Sequence, residues 1–285
     1  MNGVLNINKP KGMTSSDVVS KVRHILGTKT VGHFGTLDPM GEGVLLMGVG
    51  KATRLFDFML KKDKVYEATF VFGINTDTLD TDGKITDKCA HIPTLKELRE
   101  VLPRFIGRQA QVPPAYSAKS INGKRAYDLA REGKEFDLRP CEIEIYDADI
   151  NPTESADCFK VRLHCSSGTY VRSFGRDLAE ACGTYAAMSS IKRIRCGNFD
   201  IESSITLDTL ERIGTDALLP IEAAIRELPE INLPDVCYTK LENGVKLDGA
   251  GISHDSFALR CKGELFGIAK INDSGKIKIV SYLKD

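Results

Sequence analysis

Residues 65–74 read VYEATFVFGI, and residues 158–165 read CFKVRLHC. In the first, Tyr66, Ala68, Phe70 and Phe72 fall on one side of an extended chain. In the second, Phe159, Val161, Leu163 and Cys165 do the same. A period of two marks strands with one buried face. EIEIYDADI at 142–150 alternates in the same way. Helical patterns stand singly among these strands. Over 14–27, Thr14 or Ser15 can cap, Asp17 suits the positive end, Val18, Val19, Val22, Ile25 and Leu26 share a face, and Gly27 stops the helix. Thr94 and Glu97 have capping-box spacing before Leu95, Leu98 and Leu102, with Pro103 as a breaker. Residues 171–182 give a third helix, closed by Gly183. Strand runs with isolated helices and no steady βαβ rhythm predict an α+β fold.

At 285 residues, with 42% hydrophobic and 27% charged side chains, the chain is long enough for a sizeable core and is not a disordered tail. After the helical stretch 218–227, ELPEINLP (ending at Pro234) marks a boundary. Beyond it, turn signals at Asn243-Gly244, Lys262-Gly263 and Asn272–Gly275 separate β-type runs such as SFALRC and KIKIVSYL. Two domains are therefore expected, 1–228 and a small all-β module over 229–285.

Lys+Arg and Asp+Glu are 39 each, so the net charge is zero, which excludes a uniformly basic protein. The charge is uneven, however. Residues 1–60, 104–134 and 160–200 carry balances of +3, +5 and +4. Either they meet as one basic surface or they are separate solvated faces. The eight cysteines contain no C-x-x-C pair, so no zinc knuckle is expected, and they read as reduced and mostly buried. The N-terminal MNGVLNINKPKGM has no apolar signal core, and no apolar run is long enough to span a bilayer. A cytoplasmic protein is expected.

The densest segment is VGHFGTLDPMGEGVLLMGVG at 31–50. Its glycines permit positive φ and close approach of a ligand, and Pro39 restricts Asp38. Asp38 reads as a nucleophile or base on a rigid loop, or as a turn cap. His33 reads as a stacking or proton-moving group, or as a half-buried loop histidine. GVGKAT at 48–53 lacks the third glycine of a dinucleotide fingerprint and is not a phosphate loop, so no cofactor is expected. NTDTLDTDG at 75–83 misses calcium-loop spacing, and a solvated turn is expected. No metal site is expected. Tyr66 and Tyr170 have basic neighbours, as base-stacking rings do, but strand tyrosines are also ordinary core residues. Arg172 shares a face with Tyr170 if the strand persists. A buried arginine needs an anion, and Asp38 is a natural candidate.

In order along the chain, NKPKGMTSSDVV, GHFGTLDPMGEGVL, KVYEATFVFGINTDTLDTDG, QVPPAYSAKSINGKRAYDLAREG and SSGTYVRSFGRDLAE resemble the signatures of the bacterial TruB family, the tRNA pseudouridine-55 synthases. The likeness covers roughly residues 3–200. The tail, with NLP and GELFGIAKI, is loosely similar to that family's small RNA-binding (PUA-like) module. The resemblance implies a pseudouridine-synthase-like catalytic domain with a mixed, largely antiparallel sheet. It implies that Asp38 is the nucleophilic aspartate and that Arg172 pairs with it. Tyr66 would stack on the target base and Tyr170 would line its pocket. Ile191 would stand where the family usually has Leu, His33 would pack against the RNA loop, and Lys9 with Pro10 would buttress the active loop. Phe34, Ile191 and CGNF at 196–199 depart from the family pattern without removing a catalytic group.

The implied partner is the T arm of tRNA. Phosphate contacts are expected from 104–134 and 160–200, with Lys119, Lys124 and Arg125 as candidates. No cofactor, membrane or protein partner is implied, and a monomer is expected. Two other classes stand beside this one. A non-catalytic RNA-binding protein would need the basic stretches but neither Asp38 nor Arg172. An oxidoreductase is suggested only by GVGKAT.

Overall fold

The computed structural model describes residues 1–117, 120–121, 124–125, 136 and 138–284. Its centre is a mixed sheet. The main path runs β1 (Gly3–Lys9), β3 (Glu42–Val49), β12 (Ala186–Cys196), β4 (Lys64–Phe72), β11 (Cys158–Cys165), β10 (Cys141–Pro152) and β7 (Gly107–Gln111). Two short strands join off this path: β2 (Val31–His33) on β3 and β13 (Phe199–Asp200) on β12. All pairings are antiparallel except β12 with β3. This is the mixed, largely antiparallel sheet of an α+β fold. Two ribbons complete this part: β5 (Ile74–Thr76) with β6 (Ile85–Lys88), and β8 (Ser120–Ile121) with β9 (Lys124–Arg125).

The alternating faces sort as the period of two requires. Ala68, Phe70 and Phe72 of β4 are buried with Val161 and Leu163 of β11 and with Phe174 and Leu178 of the helix Val171–Ala181. Burial of each of these Phe, Val and Leu side chains stabilises the fold by roughly 1.5–3 kcal/mol. That helix lies close on the sheet because Gly175 has no Cβ; one would stand 2.0 Å from the Phe70 ring. β4 ends at Phe72 rather than at 74, since Gly73 turns the chain with φ +85°.

The helix Ser15–Leu26 carries a complete capping box at Thr14 and Asp17 and a left-handed Gly27. Thr94 and Glu97 form a second capping box on the helix Leu95–Val101. Cysteine burial differs from expectation. None of the eight forms a disulfide, but only Cys165, Cys196 and Cys261 are buried, and the other five are half-buried at element ends.

Beyond Pro229, β14 (Glu230–Leu233), β15 (Phe257–Cys261), β16 (Glu264–Ile271) and β17 (Ile277–Tyr282) form their own four-stranded sheet, with one short helix at Tyr238–Glu242. Phe257, Leu259 and Phe266 centre its core. Ala258, Ile268 and Leu283 turn instead toward Val4, Phe34 and Leu46, so the two sheets share a second core. Among the described residues, no helix is long and apolar enough to cross a membrane.

Candidate active site

The segment between β2 and β3 presents Asp38. Its backbone is held nearly residue by residue. Phe34 donates to the Leu46 carbonyl at 2.8 Å. The buried Ser15 hydroxyl accepts from the Leu37 amide at 2.9 Å and donates to the Leu37 carbonyl at 3.0 Å. The ammonium of Lys9 is wholly buried and donates to the carbonyls of Pro10 (3.0 Å), Pro39 (3.4 Å) and Gly41 (2.5 Å). Burial pushes the Lys9 pKa down, and the charge of Asp38 opposes that shift. The glycines of GVGKAT have a packing use: a Cβ on Gly48 would stand 2.6 Å from the ring of Phe34, which is itself buried.

Arg172 meets this loop from the other side. It lies in the first turn of the helix Val171–Ala181, as the helical pattern over 171–182 predicts, and not on a continuation of the strand. Tyr170 is the last extended residue, and its backbone is gripped by the buried Gln111 side chain, which accepts from its amide at 2.8 Å and donates to its carbonyl at 3.2 Å. The Arg172 guanidinium is 3.0 Å from Asp38 Oδ2 and 3.3 Å from Asp80 Oδ2. It also donates to the carbonyls of Thr78 (2.9 Å) and Tyr116 (3.0 Å). A planar fork with five donors suits such a four-way junction.

Asp80 comes from NTDTLDTDG, and the solvated turn expected there is corrected. Asp80 is 7% exposed and accepts from the Thr78 hydroxyl at 2.6 Å. Burial raises its pKa; Thr78 and Arg172 pull the other way. The sequence signal available was the density of carboxylates beside small hydroxyls. Nothing local showed that a distant arginine would pass through it.

Asp38, Tyr66, Tyr170, Arg172 and Ile191 line one pocket of about 150 Å³, together with Thr36, Leu37, Ser117, Thr169, Val171 and Met188. The Tyr66 hydroxyl is buried, which raises its pKa to about 12. Asp38 keeps 41% of its side chain exposed, while Arg172 keeps 9%. Lys9 lies behind the loop rather than on the pocket wall. His33 also stands off the wall, in β2, with a buried Nδ1 that has no hydrogen-bond partner among the described residues. Burial, and then the charge of Arg193, hold the His33 pKa below its usual value. Among the described residues, no cluster of three His, Cys, Asp or Glu side chains could hold a metal ion.

The cations over 160–200 are engaged to different degrees, and Arg162 is exposed. Lys160, Arg176, Lys192 and Arg195 pair with Glu67, Asp177, Glu42 and Asp63, Arg172 is at the junction above, and Arg193 is buried. Lys119 lies outside the described residues, and Lys124 and Arg125 are described as backbone alone.

Residues 23–171 match the model of the TruB family pseudouridylate synthase N-terminal domain. A tRNA pseudouridine synthase B of Caldanaerobacter subterraneus subsp. tengcongensis is 40% identical over 246 residues, spanning 86% of this chain and 85% of the relative. One of Dehalococcoides mccartyi is 42% identical over 254 residues, spanning 87% and 84%. Among solved structures, a chain of a Cbf5-Nop10-Gar1 complex aligns with TM-score 0.73 at 27% identity, covering 94% of this chain and 78% of that one.

Proposed function

Because this chain belongs to the TruB family of pseudouridylate synthases, we propose that it isomerises uridine to pseudouridine at position 55, in the T loop of tRNA, with Asp38 as the essential aspartate. The observation that carries this reading is the Asp38–Arg172 ion pair on the wall of a pocket that also holds Tyr66, Tyr170 and Ile191. The reaction breaks N1–C1′, turns the uracil and joins C5 to C1′. The C5 proton is lost and N1 ends protonated, so no redox partner or group donor is required. A carboxylate beside the sugar supplies the nucleophile or base. Aromatic and apolar walls retain the detached base.

A stacked loop uridine has to leave its stack to reach Asp38, at a cost of a few kcal/mol that stacking in the pocket offsets. Tyr66 stacks on that base, Tyr170 and Ile191 close around it, and His33 packs against the remaining loop. Lys9 holds the backbone that carries Asp38. In this reading residues 1–228 are the catalytic domain and 229–285 an RNA-binding module, acting as a monomer in the cytoplasm. Phosphate contacts come from the basic stretches 104–134 and 160–200.

The test is to treat an unmodified tRNA transcript with the purified full chain and map pseudouridine by sequence position. A single new pseudouridine in the T loop is expected. Binding of the transcript with no isomerisation would leave a non-catalytic RNA-binding protein and end this reading.

A further inference from the structure

We propose that Arg193 is a positioning residue for this reaction: its buried guanidinium closes the loop that presents Asp38 and fixes that loop against the strand of Tyr66. The inference rests on the reading of Asp38 and Tyr66 given above.

Arg193 is 2% exposed and is among the largest fully buried side chains. Arg172 and Arg195 each reach a carboxylate, but among the described residues Arg193 forms no ion pair. Its hydrogen bonds run to backbone carbonyls: Val44 at 2.7 Å, Gly35 at 3.1 Å and Thr36 at 3.5 Å. Arginine cannot shed its proton, so the fold keeps a permanent unpaired charge in its sheet. Buried charges are poor sources of stability, and apolar replacements of similar volume are often neutral or better. Its effect is better sought in position.

The geometry supplies one. Gly35 and Thr36 are on the outgoing stem of the Asp38 loop, and Val44 is on the returning stem. The fork therefore ties the two stems together behind the aspartate. The same residue brings its own backbone against the returning stem: Gly43 pairs with Arg193 in the parallel β12–β3 ladder, and a Cβ there would stand 2.3 Å from the Arg193 carbonyl. On its other side Arg193 pairs in register with Tyr66. Its charge partly offsets the rise that burial causes in the Tyr66 pKa. One side chain on β12 thus joins the loop of the aspartate to the strand of the stacking tyrosine. Lys9 and Ser15 hold only the middle of that loop.

The experiment compares the full-length parent with Arg193→Met and Arg193→Lys. It measures single-turnover pseudouridine formation at saturating transcript, transcript affinity, melting temperature, and amide exchange in the peptide covering 34–46. Met should slow turnover by about 10²-fold, the scale of a 1 Å misplacement at a reacting centre, while affinity stays within about threefold. Exchange should accelerate in 34–46 and not in β4 or β11. An ammonium among carbonyls is already tolerated at Lys9, so Lys should recover at least about tenfold of the lost rate, or about 1.4 kcal/mol. If the Met chain does not fold, the Lys chain decides alone, by a several-fold slower rate at unchanged affinity. A folded variant with parental turnover would overturn the proposal. So would a loss that follows affinity or melting temperature with no local change in exchange. If the parent itself forms no pseudouridine, the functional reading fails instead.

Discussion

Asp38 and Asp80 meet the same arginine through different nitrogens, Nη2 and Nη1, but they belong to loops built differently. The Asp38 loop is glycine-rich, and its carbonyls are held from outside by Lys9, Ser15 and Arg193. Its aspartate keeps 41% of its side chain open, on a pocket wall. In the Asp80 loop, Thr76 and Thr78 of the loop itself donate to the Asp80 carbonyl and carboxylate, Met188 exchanges backbone hydrogen bonds with Leu79 and Thr81, and the Asp80 side chain keeps 9% open. The same carboxylate on the same guanidinium therefore has two different capacities. The open one can meet a substrate. The sealed one can only hold the arginine in place, and Thr78 and Tyr116 help it through their carbonyls.

The most severe break of this contrast is Asp38→Asn. Product formation should fall by on the order of 10⁴-fold or more, as when a nucleophile is removed elsewhere, with transcript affinity nearly unchanged. Activity near the parental rate in a discontinuous mapping assay would assign the open carboxylate no chemistry. Asp80→Asn should be gentler. Arg172 keeps Asp38 and two carbonyls but loses its sealed anchor, so turnover should drop by roughly 10²-fold through misplacement. A loss equal to that of Asp38→Asn would erase the distinction between the two loops.

The same Asp80→Asn variant sharpens the comparison thermodynamically. Burial raises the Asp80 pKa in the folded state above 3.8. The unfolded chain then releases that proton first as pH rises, so this group's contribution is complete below 3.8 and is lost as pH climbs through the raised value. The stability of the parent relative to Asp80→Asn should accordingly decline from acid toward neutral pH in chemical denaturation. A flat difference would count against burial as the cause. The smallest effect is expected from Ser15→Ala. It removes two hydrogen bonds to Leu37 and leaves that peptide unsatisfied, for a loss of about 1–3 kcal/mol. An unchanged denaturation midpoint would show that the outside clamps are dispensable.

Local chemistry made much of the fold legible. The alternation in β4 and β11 and the capping boxes at Thr14 and Thr94 each involve residues close in sequence, whose spacing alone fixes their relation, whereas a bulge after Ile145 breaks the alternation expected in β10. The Asp-Pro turn with its glycines singled out Asp38 for the same reason. Gln111 was missed because its partner, the Tyr170 backbone, is 59 residues away and carries no side-chain signal. Asp80 was missed because an acidic, polar run reads as solvated until a cation is shown to enter it.

Sequence by itself determined the strands β4 and β11, the helices that follow Thr14, Thr94 and Tyr170, and which carboxylate stands on a restrained turn, since those depend on period, capping and allowed φ within a few residues. Tertiary structure alone decided that Asp80 is sealed while Asp38 is open, and that most cations of 160–200 are already paired or buried. Charge is visible in one dimension. Solvent exposure and counter-ions are properties of three, because burial and Coulomb energy depend on distances that chain spacing does not encode.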